Sequence, residues 1–395
     1  MSGRRERSGV GERLRAMGRG VAGQNDGEIA RRRSPARRAA PLISMLAGIV
    51  SLAAAADNLP PPPMWTQWED LPDAIGRKGM YGGVSDGHVI VAGGSNFPMP
   101  QRAGGTKRFH ADIVVRPLPL SRAASWRLTA ETLPEPIGEG ATLSTSHGVL
   151  GIGGQREQGA SAEVFLVRWN GATQRVERSV LPDLPEPAAS AAAVEINGAV
   201  YVAGGMNERA TLRNFWRLDL AKAVARPAAT SWERLPAWPG VARFGAELSV
   251  IAGVAGPRLM LTGGIAGPAR GTEDYLRETW LYDPREGRWS SGAIMPRGAV
   301  LGMAIPWTAS HAIILGGSDG HDFHRMRELG DRYRIPGDVL VYDVAADRWG
   351  RDGTMPVGVV GATAIKLEAS WLIVGGEPSP GLRTPRVYQL LRGAR

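Results

Sequence analysis

The sequence predicts an all-β fold, a β-propeller of six blades. Three observations carry that prediction: a turn-rich, helix-poor composition, a strand ending in Gly-Gly that recurs six times, and a last repeat that lacks a strand present at the other end of the chain. Of 395 residues, 53 are glycine and 29 are proline, about a fifth of the chain and more than helices tolerate. Twelve tryptophans outnumber seven tyrosines and six phenylalanines. Such a composition favours many short strands joined by turns. At 43% hydrophobic and 22% charged residues, the chain is that of an ordinary globular protein with ample length for a core. The absence of cysteine excludes disulfides, thiolate nucleophiles, iron–sulfur clusters and cysteine-based zinc sites, and with them a copper-radical oxidase.

From the N-terminus, the first element is a leader. The formal charge of +9 would by itself suggest a nucleic-acid or membrane partner. Residues 1–40, however, hold eleven arginines against Glu6, Glu12, Asp26 and Glu28, a surplus of seven, so the remaining 355 residues carry only +2. A near-neutral body argues against nucleic acid. The run RRRSPARR, the apolar stretch from Pro41 to Ala56 and the small residues Ala54-Ala55-Ala56 form a basic region, a short apolar region and a cleavage site. The apolar part is shorter than the roughly 20 residues a membrane span needs. Residues 1–56 are therefore expected to be a basic, disordered leader plus signal peptide. Export to a bacterial periplasm is expected, by the general secretory route rather than the twin-arginine route, because the residues after the paired arginines do not fit the latter. Residues 57–64, with Pro60-Pro61-Pro62-Pro63, read as a stiff spacer, and the propeller is expected over 65–395.

The six repeats follow. VIVAGG, VLGIGG, VYVAGG, LMLTGG, IILGG and WLIVGG place their doublets at Gly93, Gly153, Gly204, Gly263, Gly316 and Gly375, at intervals of 60, 51, 59, 53 and 59 residues. These intervals lie near the ~50-residue period of kelch repeats. A small-residue-rich apolar segment precedes each doublet. A third strand, such as ETWLYDP or DVLVYDV, follows it, and Trp126, Trp232, Trp289 or Trp349 opens a fourth, with Trp169 a poorer match. Each unit is a four-stranded antiparallel meander that cannot bury both faces alone, so radial packing is required. The doublets are expected where strands converge on the axis and a side chain would collide. The tryptophans are expected to fill the wider gaps between blades. The last repeat ends at Arg395 without its tryptophan strand, and Trp65-Thr66-Gln67-Trp68 supplies it: the N-terminal strand is expected to close the last blade.

In such a meander, the second-to-third and fourth-to-first loops emerge on one face. Residues after the doublets, including Asn96, Asn207 and Glu377, and residues before the first strands, including Arg77, Arg243 and Arg297, are expected to ring one mouth, with Lys107 beside them. Arginines and a few carboxylates there suit a polar anion such as a carboxylated sugar. In GGEPSPGLRTPRVY (375–388), Glu377 leaves the doublet and Arg383 returns six residues later across Pro378, Pro380 and Gly381. A stiffened loop that holds a carboxylate near a guanidinium suits general-base chemistry, and it suits a structural ion pair equally.

The stretch GGEPSPGLRT resembles the corresponding loop of the bacterial N-acetylneuraminate epimerases, which are kelch-propeller sialic acid mutarotases. GGSNFPMPQRAGGTKRFH (93–110) falls in the first blade, whereas its counterpart lies late in the better-known members, as in the cyclically permuted mutarotase branch. The resemblance spans residues 65–395. It implies an isomerase interconverting the α and β anomers of N-acetylneuraminate or a related sugar acid, without cofactor, metal or nucleotide. It further implies Glu377 as proton acceptor and Arg383 as its essential neighbour, with Arg77, Arg243 or Arg297 helping to hold the sugar's carboxylate. The fifth-blade loop (318–337) departs from the family by being shorter than its lysine-rich insertion. The alternative is a non-catalytic kelch propeller that binds a carbohydrate or a protein. His321 and His324 lack a clear third ligand, so no metal site is expected.

Overall fold

The computed structural model describes residues 60–253, 255–267 and 274–394, and the expected leader lies outside these residues. Among the described residues, the strands form six four-stranded antiparallel sheets and one two-stranded ribbon, Ser95–Asn96 with Arg108–Phe109. Each sheet is one predicted repeat. The first blade runs Tyr81–Ser85, His88–Ala92, Asp112–Pro117 and Arg127–Thr132 in spatial order. The sixth runs Thr363–Lys366, Trp371–Val374 and Val387–Arg392, and its outer strand is Pro63–Gln67 from the other end of the chain. Pro63 pairs with Arg392 and Gln67 with Tyr388, so the N-terminal strand closes the last blade as expected. That strand begins two residues before Trp65, inside the stretch read as a spacer. The prolines are tied down as well, since Pro61 C=O accepts from Trp307 Nε1 at 2.7 Å and Pro62 C=O from Gly393 N–H at 2.8 Å.

The innermost strands are Tyr81–Ser85, Ala141–Thr145, Ala192–Ile196, Phe244–Ile251, Met303–Pro306 and Thr363–Lys366. They surround a cavity of about 680 Å³. An innermost strand has a free edge, and unpaired backbone groups there need partners. Neighbouring blades supply them: Thr142 Oγ1 accepts from Gly82 N–H at 2.9 Å, Ser144 Oγ from Val84 N–H at 3.0 Å, and Glu247 Oε1 from Gly302 N–H at 2.8 Å. At or just before the start of each inner strand, one residue per blade adopts a left-handed conformation. These are Gly79, Glu139, Ser190, Gly245, Leu301 and Gly361, at φ of +52° to +63°. Each donates its N–H to the carbonyl of the equivalent residue in the preceding blade at 2.7–2.8 Å, and Gly79 donates to Gly361. Six hydrogen bonds thus form a closed head-to-tail ring around the axis.

The Gly-Gly doublets end the second strands rather than the innermost ones, and their reason differs from axial crowding. A Cβ on the first glycine would lie 2.3–2.5 Å from a backbone oxygen two residues before the ring position of the next blade: Ile137, Ala188, Arg243, Ala299, Val359 or Arg77. The second glycine donates its N–H to that same oxygen at 2.8–3.3 Å. The doublet is therefore a blade-to-blade clamp. The tryptophans do bridge blades, as expected. Trp126, Trp232, Trp289 and Trp349 each donate Nε1–H to a carbonyl of the preceding inter-blade connection, and Trp65 donates to Thr354 C=O at the end of the fifth blade's outer strand, at 2.9–3.3 Å. The second blade lacks this bond. Trp169 sits on its third strand instead, and its Nε1 has no partner among the described residues.

Candidate functional site

Blade six places the acid. Glu377 directly follows the Gly375-Gly376 clamp, and a two-way backbone bridge with Val360 fixes its main chain at 2.9 and 3.0 Å. The loop then folds back through a tight turn in which Leu382 N–H donates to Ser379 C=O at 2.9 Å and Gly381 adopts φ +75°. This turn aims Gly381 N–H at Glu377 Oε1, 2.7 Å away, and returns Arg383 so that Nη1 lies 2.8 Å from the same oxygen. Lys78 Nζ from the start of blade one meets Oε2 at 2.9 Å. Arg383 is held from the other side, where Nε donates to Ser95 C=O at 3.3 Å and the guanidinium lies 5.0 Å from the Phe97 ring centre. Glu377 and Arg383 are both buried, at 8% and 7% exposure. Lys78 is among the residues lining the central cavity.

A second acid stands beside the first. Glu139, at the ring position of blade two, accepts from Ser95 Oγ at 3.1 Å and pairs with Lys107 at 3.0 Å. Glycines clear the way for both long side chains. A Cβ on Gly361 would lie 3.1 Å from Lys78 Cδ, and one on Gly79 would lie 2.8 Å from Glu139 Cγ. Burial alone would raise the Glu377 pKa, but Lys78 and Arg383, with the Gly381 N–H, overcome it and hold the carboxyl down at about 2. Burial likewise pushes Glu139 up, and Lys78 and Lys107 pull it below the ordinary range. Burial pulls Lys78 down, yet Glu377 and Glu139 together raise it above its usual value. Both acids are ionised and Lys78 is charged at neutral pH.

The three other arginines expected at the mouth go elsewhere. Arg77 donates to Gly93 C=O and pairs with Asp73 and Asp112 at 2.8 and 2.7 Å. Arg243, fully buried, donates to Gly263 C=O at 3.0 Å and pairs with Glu278. Arg297 donates to Gly316 C=O at 3.2 Å and pairs with Asp338 at 2.9 Å. In blades one, four and five the same device recurs: an arginine ties the carbonyl of a doublet glycine to a carboxylate at the start of the third strand. Each of these guanidiniums is thus built into the wall of its own blade by its carbonyl and carboxylate partners. Asn96 is also a wall residue, donating to Asp73 and accepting a contact from the His110 ring at 2.9 Å. Asn207 caps its own turn, with Oδ1 accepting from Arg209 and Ala210 N–H. Lys107 does reach the mouth, through Glu139.

Two groups at the site, Lys78 and Tyr333, escape the sequence pattern, whereas Ser95 directly follows its doublet and belongs to the set expected at the mouth. Lys78 was passed over although it directly precedes the ring glycine of its repeat. Ser95 touches both charge clusters, with its hydroxyl on Glu139 and its carbonyl on Arg383. Tyr333 comes from the fifth-blade loop, where short helical turns over 323–332 lead to Tyr333 and Ile335 packed against Val360 and Leu301. Burial raises its hydroxyl pKa, with a smaller contribution from Glu377. The shorter loop thus still forms a wall near the acid.

Taken together, the rim offers a buried ionised carboxylate between two cations, a second carboxylate with its own lysine, and a cavity lined by the six inner strands. The kelch motif model matches residues 187–236, which is blade three with its flanking connections. The chain is similar to N-acetylneuraminate epimerase from Yersinia pestis (strain Pestoides F), 28% identical over 240 residues, covering 54% of this chain and 58% of that one. It is also similar to N-acetylneuraminate epimerase 1 from Escherichia coli O6:H1, 24% identical over 232 residues, covering 53% and 59%. The chain therefore spans under three-fifths of the length of these curated relatives. Among solved structures, that of YjhT superposes with a TM-score of 0.59 at 15% identity, covering 82% of this chain and 96% of the other, a likeness of fold. The repeats and the ring of blades are a fold shared with YjhT, and the sequence similarity is to the N-acetylneuraminate epimerases.

Proposed function

We propose that this propeller is a mutarotase that interconverts the α and β anomers of N-acetylneuraminate or a related sugar acid. We also propose that its basic leader and apolar stretch export it to a bacterial periplasm. The observation that carries the reading is the Glu377 carboxylate, buried at the cavity rim and held between Lys78 and Arg383. In the reaction, Glu377 takes the proton of the anomeric hydroxyl. The bond from the anomeric carbon to the ring oxygen breaks, its electron pair stays on that oxygen, and a water supplies the oxygen's proton. Glu377 returns its proton to the water. The open-chain keto acid then recloses on the other face by the reverse steps, so no proton or electron is gained or lost. The fixed Arg383 steadies developing negative charge, a role suited to a donor that does not reorganise. The test is anomer exchange followed by NMR: wild type is expected to accelerate it, and Glu377→Ala to lose at least about 100-fold, the scale of general acid–base catalysis. Equal rates for the two proteins would sink the reading.

A second reading has one observation in its favour. A carboxylate with a pKa near 2 is a weak base, which suits a propeller that binds a carbohydrate or protein without turning it over. Binding of the sugar acid with no acceleration of exchange would select it.

A further inference from the structure

The weakness of Glu377 as a base in the free protein has a structural cause, and that cause is movable. Of its two cationic partners, Arg383 is fixed. Its side chain is 1% exposed, its Nε is bound to Ser95 C=O, and its guanidinium lies over Phe97. Lys78 differs on each count. Its side chain is 13% exposed, it lines the cavity, and its flexible stem crosses Gly361, which has no side chain to hold it in place. A lysine ammonium is a compact charge with three rotatable donors and exchanges partners more readily than a planar guanidinium. The groups acting on Lys78 are Glu377, Glu139 and, repulsively, Arg383; those acting on Glu377 are Lys78, Arg383, the Gly381 amide and Tyr333. Glu139 is already satisfied by Ser95 and Lys107. Lys78, Lys107 and Arg383 against Glu139 and Glu377 leave the rim a surplus of one positive charge, matched to one incoming carboxylate.

We propose that Lys78 is an exchangeable counter-ion, pairing with Glu377 in the free protein and with the carboxylate of a bound sugar acid during turnover, so that Glu377 becomes an effective base only when substrate is present. This rests on the mutarotase reading. Lys78 thus binds the substrate's carboxylate and, by leaving Glu377, acts on the proton transfer. It also favours acidic over neutral sugars, since a neutral sugar cannot draw Lys78 away.

The experiment is a ¹³C NMR titration of the Glu377 carboxyl in the free full-length chain, for wild type, Lys78→Met and Lys78→Arg, with anomer-exchange kinetics on the same proteins. In Lys78→Met the Glu377 midpoint is expected to rise by about one pH unit or more, as for a carboxylate losing one of two close cations. The acid limb of kcat/KM should rise with it, and KM for N-acetylneuraminate should increase. Lys78→Arg, which keeps the charge, should restore the low midpoint. Adding saturating N-acetylneuraminate to wild type should raise the midpoint without any substitution, so the proposal stays open to refutation even if Lys78→Met fails to fold. An unmoved Glu377 midpoint in folded Lys78→Met, or in liganded wild type, overturns it. Wild type that binds N-acetylneuraminate without accelerating exchange overturns the mutarotase reading instead, and the midpoint of the free protein still reports the pairing.

Discussion

Glu377 and Glu247 are two buried glutamates with opposite electrostatics, and each leads to a stability prediction. Glu377 is ionised in the fold, with its pKa held at about 2 against an ordinary 4.5. A depressed folded-state pKa stabilises above the ordinary value and is lost as pH falls through the folded one, a contribution of about 3 kcal/mol. Glu377→Gln is therefore expected to unfold at a lower temperature than wild type at pH 6, with the gap closing between pH 4.5 and 2 in calorimetry. Glu247 is the reverse. Burial, opposed only in part by the Gly302 N–H, raises its pKa well above the ordinary 4.5, and Oε2 has no partner among the described residues. A raised carboxyl pKa means that the fold loses stability as pH rises above 4.5, because only the unfolded chain can ionise freely. Glu247→Gln keeps a neutral acceptor for Gly302 N–H, so it should raise the melting temperature at pH 7 and change little at pH 4.

At this same scale, the sequence was only half informative about the site. The nearness of Glu377 and Arg383 was legible because the five residues between them, two of them prolines, leave little freedom. The ion-pair partners of Arg77, Arg243 and Arg297 were not legible, because Asp112, Glu278 and Asp338 lie 35, 35 and 41 residues further on. The recurrence of an acid at a nearly constant distance was a usable signal for an ion pair within each blade.

Among the elements, the doublets separate two reasons for glycine. Gly87 and Gly375 have nearly the same φ, +67° and +68°, but a Cβ on Gly87 meets nothing within 4 Å, whereas one on Gly375 falls 2.5 Å from Arg77 O. Gly87→Ala is expected to cost about 1 kcal/mol, the left-handed strain alone. Gly375→Ala adds an overpacked contact with a backbone that cannot yield, for about 3 kcal/mol in total. Chemical denaturation of the two variants checks the difference. The strand order of each blade was legible because doublet and tryptophan recur in fixed order. The partner of each doublet was not, because it lies in the next blade and no local pattern names it.

For the whole molecule, closure depends on one five-residue strand. Pro63–Gln67 is paired along its length with Tyr388–Arg392, and Trp65 packs in the core shared by blades five and six. A chain beginning at Pro60 should unfold in a single sharp transition, whereas one beginning at Glu69 should melt at least about 10 °C lower and more broadly, since loss of a strand with its tryptophan removes several kcal/mol. The ring of six backbone hydrogen bonds also bears on dynamics. Each of its amides is bonded to a neighbour whose own amide is held the same way, so the ring has no terminus from which to fray. Opening one member requires two blades to part, which is close to opening the propeller itself. Amide hydrogen exchange at Gly79, Glu139, Ser190, Gly245, Leu301 and Gly361 should therefore be slow and nearly synchronous, although all six line the cavity and all but Gly245 lie outside the strands, where local exchange would ordinarily be fast.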